Sequence, residues 1–523
     1  MGLFQCKTAL QLSMIEEENE MLRKEVAEKS ELIAEWIRLK PSTGVDSQFA
    51  GVRLRRMLDM VRVDESAADI RDMNRRLQRM LEETLSKNLI LNADQIIPVS
   101  EEHDEVAYDE ECLLAELARR DFTIFMLSEA GKPIFASCGH EERLCSLMAL
   151  VQTFVMVVDS WSDCLVQIQS ADVHIYFSHR NSLILCIVSR DRFQLSAQVD
   201  LVYKQVISTL CRAQLVSVFQ KRGPNFDLRL LLKGAERHFN EIIRSFRCDT
   251  SVFLRSIRVF PMNSTERELI SMTIINCMNS AKLSNVVFGL VLAHRQLVTL
   301  VRMKGIALHP SDLHILINLL ECNPSFRNAD NWIPICLPNF NDTGFVHAFV
   351  SYLWEGSPAC LMLISLERGA FQALRDVNVA IISRLLSPKH RVAIQNAFEK
   401  TPVLDIDTNL FPDIWHFVYK NRCSAQMCCS PWRIPYVNDA ERRTLLSYYK
   451  KVVGFYSEAN EPKILFATTP YNCLMSCITA NYELHCVLSP FVQRAAASAQ
   501  VDRLIKILKK EESRYFITSS LFF

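Results

Sequence analysis

Only one stretch of this chain places metal-binding side-chain types close together: Cys423, Cys428 and Cys429, with His416 upstream. Thiolates and imidazoles close a tetrahedral zinc site when they occur in short, regularly spaced pairs. This spacing fits no such pattern, and none of the 18 cysteines forms a Cys-x-x-Cys pair. The cluster reads as a loop with incidental thiols, and no metal or other cofactor is expected. The cysteines are scattered and often sit inside apolar runs, as at Cys145, Cys186 and Cys277, and read as reduced, mostly buried thiols of a cytosolic protein. The remaining signatures of covalent chemistry are also missing. No Gly-x-x-x-x-Gly-Lys-Ser/Thr loop cradles a phosphate, and no Gly-x-Ser-x-Gly turn presents a nucleophile. Lysine plus arginine equals aspartate plus glutamate at 59 each, which argues against bulk nucleic-acid binding. Such a chain is expected to act through surfaces.

The elements that would carry those surfaces follow from periodicity. Ile124 to Leu127 is a short apolar run, Gly131 supplies the backbone freedom of a hairpin turn, and Pro133-Ile134-Phe135 restarts an extended strand. Leu144, Leu147, Met148, Val151, Phe154, Val155 and Val158 recur at three- and four-residue steps, which predicts a helix laid on a sheet. Glu141 and Glu142 sit in its first turn, where the helix dipole favours acids. Val173, Ile175 and Phe177 alternate with polar neighbours as in a half-buried strand, and Leu183 to Val188 is apolar throughout, as in a central strand. Helices are expected over Gln194 to Phe219 and Phe226 to Phe246.

Similar element orders recur downstream. Around 250–400 the pattern predicts a helix over Thr265 to Asn279, strands Val286 to Leu292 and Leu297 to Arg302 about the turn Ala293-His294-Arg295, and a helix capped by Ser311. Three strands near 333–338, 344–353 and 360–366 and a helix from Phe371 follow. The last third has strands near 414–419, 463–468, 473–479 and 482–488, with helices over Ala440 to Tyr456 and Ala495 to Arg514. With 523 residues there is room for about three to four domains. The expected division is a coiled-coil or helical extension over 1–95, an acidic linker over 96–120, and units over 121–250, 251–400 and 401–523. In the extension, Ile15, Leu22, Ile33 and Trp36 fall on a heptad seam. It is either a dimerising segment or one joined from a neighbouring gene. The acidic run from Glu101 to Glu111 is a solvated linker or an autoinhibitory strip. Met1-Gly2 begins like a myristoylation site, but Cys6 stands where that motif wants Ser or Thr. No run approaches the length of a membrane span, so membrane contact is expected to be peripheral.

Phe125-Met-Leu-Ser-Glu-Ala-Gly-Lys-Pro-Ile-Phe135 resembles the signature of the SAND (Mon-one) family. So do Asn225 to Leu232, Leu308 to His314, Trp332 to Pro338 and Lys510 to Ile517, in the same order along the chain. The resemblance spans roughly Asp121 to Phe523. It implies an α/β (α+β) fold of three tandem longin-like α/β sandwich domains. It further implies pairing with a Ccz-one-type subunit and guanine-nucleotide exchange on the Rab-seven class of GTPase, without covalent catalysis, in endosome maturation and vacuole or lysosome fusion. The implied location is cytoplasmic, with recruitment to endosomal or vacuolar membrane. A trafficking adaptor or tether without exchange activity is the alternative.

The resemblance puts the GTPase and partner contacts on the first domain. There the candidates are the turn residues Ser128, Glu129 and Lys132 and the helix residues Arg143 and Gln152; the turn's plainer role is to close its hairpin. Trp332 and Trp354 read as core or as a docking surface for an upstream, Rab-five-class GTPase. Arg503, Lys506, Lys509 and Lys510 share one helix face, either a solvated charged face or a contact for phosphoinositide headgroups.

Overall fold

The structure is a computed structural model. It describes residues 120–138, 144–170, 173–223, 226–399, 404, 410–458, 463–519 and 521–523. The expected coiled coil, the acidic linker, Glu141, Glu142 and the candidate Arg143 lie outside the described residues. Residues 168–170, which make up most of the short strand Gln167–Gln169, group apart from the rest of the described chain.

The predicted hairpin is present as β1 (Phe122–Ser128) and β2 (Pro133–Ala136), followed by helix α1 (Cys145–Ser160). The meander follows as β3 (Gln167–Gln169), β4 (His174–Arg180) and β5 (Leu183–Ser189). The four longer strands are hydrogen-bonded in the order β2-β1-β5-β4. The apolar run that reads as a central strand is central: β5 pairs antiparallel with both β1 and β4. The alternation expected of β4 is blurred. His174 is buried along with Phe177, while Ile175 and Tyr176 are half-buried. One contributor is that Tyr176 lies against the cluster that includes the helices after β5.

Each of the two long helices expected after β5 is broken. The first divides into α2 (Leu195–Leu210) and α3 (Arg212–Arg222) at Cys211, whose φ of +48° no right-handed helix accommodates. The second divides into α4 (Arg229–Leu232) and α5 (Glu236–Cys248) around Gly234, at φ +90°. A short helix α6 (Thr250–Phe253) and strand β6 (Ile257–Arg258) lead onward.

The second unit contains α7 (Ser264–Ala281), β7 (Val286–Ala293), β8 (Gln296–Arg302), α8 (Pro310–Cys322), β9 (Asn331–Leu337), β10 (Asn341–Tyr352), β11 (Ala359–Ser365), α9 (Phe371–Leu385) and α10 (Arg391–Glu399). His294 and Arg295 both take positive φ, as a two-residue hairpin loop between right-twisted strands requires. One expectation needs correcting. The cap of α8 is His309, whose ring accepts from the Ser311 amide at 3.1 Å; Pro310 fills the first helical position and moves Ser311 inside the helix. The third unit holds β12 (Ile414–Asn421), β13 (Gln426–Cys429), α11 (Asp439–Glu458), β14 (Ile464–Thr468), β15 (Cys473–Ile478), β16 (Tyr482–Leu488), α12 (Arg494–Lys510), α13 (Glu512–Tyr515) and the terminal β17 (Leu521–Phe522). The cysteine cluster is no loop: Cys428 and Cys429 belong to β13, paired with Tyr419 and Val418.

The three sheets exchange strands. β6 runs parallel to β13 at the edge of the third sheet, and β17 runs parallel to β8 at the edge of the second. The second and third sheets each carry two distinct apolar clusters, and clusters reach across units: that of the first sheet takes in Cys336 of β9, and one of the second sheet takes in Ile257 of β6. Among the described residues no helix is long and apolar enough to cross a membrane.

Candidate functional site

The turn between β1 and β2 is built to be rigid. Ser128 donates its amide to the Lys132 carbonyl at 2.9 Å, and Gly131 donates to the Ser128 carbonyl at 2.8 Å. The Ser128 hydroxyl accepts from the Lys132 amide at 3.1 Å and is fully buried. Ser128 therefore closes the turn and is not available to a partner. Glu129 and Lys132 are exposed at its tip. Gln152, on α1, donates its side-chain amide to the Glu129 carbonyl at 3.2 Å. Gly131, at φ +76°, leaves room for that amide; a Cβ there would stand 1.9 Å from Gln152 Oε1. The helix thus clamps the turn, and a side chain named as a contact proves to position the turn's backbone.

A second segment reaches the same place. The Asp227 carboxyl is held below the usual carboxylate range, chiefly by its hydrogen bond from Arg229, with the charge of Lys132 contributing. Arg229 and Asp227 form an ion pair at 2.9 Å. Beyond them Leu230, 69% exposed, and Leu231 stand in solvent on the single turn of α4. Two exposed leucines thus follow a carboxylate that feels the charge of the turn's Lys132. The sequence places this segment in a family signature and in a long helix from Phe226 to Phe246. The break at Gly234 leaves a four-residue helix that cannot bury Leu230, Leu231 and Leu232 together, and only Leu232 and the preceding Leu228 go inside. α1 itself carries no charge from Cys145 to Val158. It buries Met148, Val155 and Val157, while Leu147, Val151, Phe154 and Val158 are half-buried and Met156 is exposed.

The other candidates lie elsewhere. Trp332 and Trp354 are half-buried and pack on the core of the second unit. Trp332 stacks on His347 with centroids 5.4 Å apart and donates its indole N–H to the Arg368 carbonyl at 3.2 Å. Trp354 meets Phe398 at 6.2 Å. Both rings are thus committed to their own domain. Arg503, Lys506, Lys509 and Lys510 are all exposed on α12, opposite the buried Ala497, Val501, Leu504, Ile505 and Leu508. In the cysteine cluster, His416 is buried, bonded through Nδ1 to the Tyr449 hydroxyl at 2.9 Å and stacked on Trp432 at 4.6 Å. Cys428 is buried and its thiol is pushed well above its ordinary range by desolvation, whereas Cys423 lies exposed on the turn after β12. Among the described residues no group of three or more His, Cys, Asp or Glu side chains could hold a metal ion.

Comparison with known proteins bears on the whole described chain. Residues 122–242 match the family described as the First Longin domain of FUZ, MON1 and HPS1. Residues 284–383 match the Second, and residues 413–512 the Third, of the same set. The bovine Vacuolar fusion protein MON1 homolog A is 33% identical over 417 residues, covering 79% of this chain and 74% of that protein. Protein SAND of Takifugu rubripes is 32% identical over 76% of each chain. Vacuolar fusion protein MON1 of the yeast Yarrowia lipolytica is 28% identical, covering 76% of this chain and 74% of its own.

Proposed function

Because the chain belongs to the MON1/SAND family of tri-longin proteins, we propose that it works in vesicle trafficking toward the vacuole or lysosome as one subunit of a guanine-nucleotide exchange factor. The reading pairs it with a Ccz-one-type subunit and takes a Rab-seven-class GTPase as substrate, with a Rab-five-class GTPase upstream and peripheral contact with phosphoinositide membrane. What supports it is the clamped turn that exposes Glu129 and Lys132, together with the exposed Leu230 and Leu231 of the segment whose Asp227 feels the charge of Lys132. Exchange forms and breaks no covalent bond. It requires a surface that binds the nucleotide-free GTPase more tightly than the loaded one, so that the switch segments leave the phosphates and magnesium. A rigid turn of mixed charge, on a domain that also exposes leucines, is suited to that task, because a clamped surface loses little entropy when it docks. A modest single-domain face falls short of the roughly 800 Å² per partner of a standard interface, so both subunits' first domains contribute and the chain alone is inactive.

The test is release of labelled nucleotide from a panel of Rab proteins by the co-expressed pair. Glu129→Arg with Lys132→Glu is expected to slow release from the Rab-seven class on the order of tenfold, the size of one lost charge-assisted contact. Partner capture and melting temperature should stay as in the parent. Release at the parent rate removes the turn from the site. A pair that assembles yet releases nucleotide from no Rab makes the protein an adaptor or tether instead.

A further inference from the structure

The third sheet has an end whose loops carry exposed apolar side chains. β12 begins there, since Ile414 pairs with Leu488 at the end of β16. β15 begins there opposite the same Leu488, and β14 ends there at Thr468 opposite Cys473. β13 ends there too, with the Ser430 amide bonded to the Phe417 carbonyl at 3.0 Å. Three loops therefore emerge side by side: 430–438, 469–472 and 489–493. They are tied together, for Asn472 donates to the Tyr436 hydroxyl at 3.1 Å and the Cys473 thiol lies 3.8 Å from the Pro490 carbonyl oxygen. From this rim project Phe491 at 92% exposure, Ile434 at 80%, Tyr471 at 75% and Val437 at 58%. Isolated exposed leucines are ordinary, but four large apolar side chains on adjoining loop tips mark an interaction site.

We infer that this rim is a membrane-insertion edge: Ile434, Val437, Tyr471 and Phe491 enter the interfacial layer of an anionic bilayer while Arg433 and Arg494 meet its headgroup phosphates. Three observations choose the bilayer over a protein. The side chains are spread over three tips, with Ile434 and Val437 on one of them, and are 58–92% exposed, whereas a protein hot spot is a packed cluster set in a shaped pocket. Each tip is stiffened by proline, at Pro431, Pro435, Pro470 and Pro490, so it holds its side chain outward without a partner. The charged residues of 430–438, 469–472 and 489–494 are Arg433 and Arg494, which complement an anionic surface, while the acids that border the rim are engaged within the domain: Glu441 accepts from the Val437 and Asn438 amides, Asp439 pairs with Arg442 at 3.5 Å, and Asp413 accepts from Gln500. Tyr471 also has the amphipathic ring favoured at the headgroup level. The rim continues toward the basic face of α12, because Arg503 donates to the Leu410 carbonyl at 3.4 Å beside it. Insertion is nevertheless a separate contribution from charge, and it does not rest on exchange activity.

Flotation of the full chain with vesicles separates these contributions. Phosphatidylcholine vesicles with phosphatidylserine are compared with phosphatidylcholine alone, at low and high salt. Phe491→Ser with Tyr471→Ser is expected to weaken binding to both vesicle types, on the order of tenfold, with an unchanged melting temperature. Phe491→Trp should retain binding, because the larger ring keeps the interfacial contact. Arg433→Glu with Arg494→Glu should weaken binding only to the anionic vesicles, and only at low salt. Parent-like flotation of the Ser double variant overturns the inference. So does loss of a protein partner by that variant with vesicle binding intact, which makes the rim a protein interface. Nucleotide release measured in solution without vesicles should be the same in parent and variant; a pair that shows no release at all speaks against the proposed exchange role and leaves this result standing.

Discussion

Two histidines in the third domain show what single residues contribute. Burial pushes the imidazoles of His416 and His485 down from 6.5 to about 3. Each is neutral in the fold: His416 Nδ1 meets the Tyr449 hydroxyl, and His485 Nδ1 lies 2.6 Å from the Ser476 hydroxyl. The unfolded chain binds protons on both below pH 6.5, while the folded chain does not until about pH 3. Their stabilising contribution is therefore complete above pH 6.5 and is lost as the pH falls toward 3. At pH 5.5 the loss is about 1.4 kcal/mol for each group. His416→Phe keeps a ring on Trp432 and leaves the Tyr449 hydroxyl its bond to the main-chain carbonyl of residue 416 at 3.2 Å. Together with His485→Asn it should remove about 3 kcal/mol of the stability difference between pH 7.5 and pH 5.5, read by urea unfolding. An undiminished pH dependence in the double variant would show that these rings are not the titrating groups. None of this was legible in the sequence. His416 reads there as an upstream companion of three cysteines, because burial and the Tyr449 partner, 33 residues away, are set by the fold. The turn residues fared differently. A Gly-Lys-Pro sequence between two apolar runs announces a hairpin tip, and Glu129 and Lys132 are exposed on it, but the inward hydroxyl of Ser128 depends on backbone geometry that residue type does not encode.

At the scale of elements, periodicity located nearly every long helix and strand, because each must bury one face on a sheet. It missed the breaks at Cys211 and Gly234 and the four-residue strand β13, where too few residues exist to show a period. It also could not show how elements of different domains meet. α11 of the third domain approaches the segment after β5 so closely that a Cβ on Gly454 would stand 1.9 Å from Phe193 Cδ1. The obstacle is an aromatic ring, half-buried at the start of the segment leading to α2, and it must move as a whole. Gly454→Leu should therefore wedge the helix from the first domain and destabilise the chain by about 1–3 kcal/mol, the usual range for overpacking. Trypsin cleavage at Arg190 and Arg192 should accelerate alongside. An unchanged unfolding midpoint, despite the better helix propensity of leucine, would mean that Phe193 swings aside freely and that the two domains are not tightly joined here.

For the whole molecule the lesson is that three domains read in tandem are not three closed units. The segment after α6 adds β6 to the third sheet, while the isolated bridge from Val259 to Leu297 ties the same segment to the second. The end of the chain returns to the second sheet as β17, with the Phe523 ring lying over Gly289. Between these crossings lies Arg267 of α7, buried, with its guanidinium donating to the carbonyls of Phe260, Ser513, Arg514 and Phe516 at 2.6–3.0 Å. An arginine in Ser264-Thr-Glu-Arg-Glu reads as solvent-exposed, so sequence alone had no means of showing this cage. Three of its four acceptors come from the segment after α12. Deleting residues 512–523 should leave a buried cation largely without partners and destabilise the second domain by about 3–5 kcal/mol. Arg267→Leu alone should be similarly harmful, because it strands the buried carbonyls of Phe260 and Phe516, whereas the Arg514 carbonyl keeps its bond from the Met262 amide at 3.2 Å. The decisive comparison is the combination. If the cage is what joins the two domains, Arg267→Leu in the truncated chain should add far less than it does in the full chain, since the Phe516 carbonyl it would strand and most of the arginine's partners are already gone. Additive losses, measured by urea unfolding of the three variants against the parent, would assign the joint to β17 and the Phe523 contact and reduce Arg267 to a local support of α7.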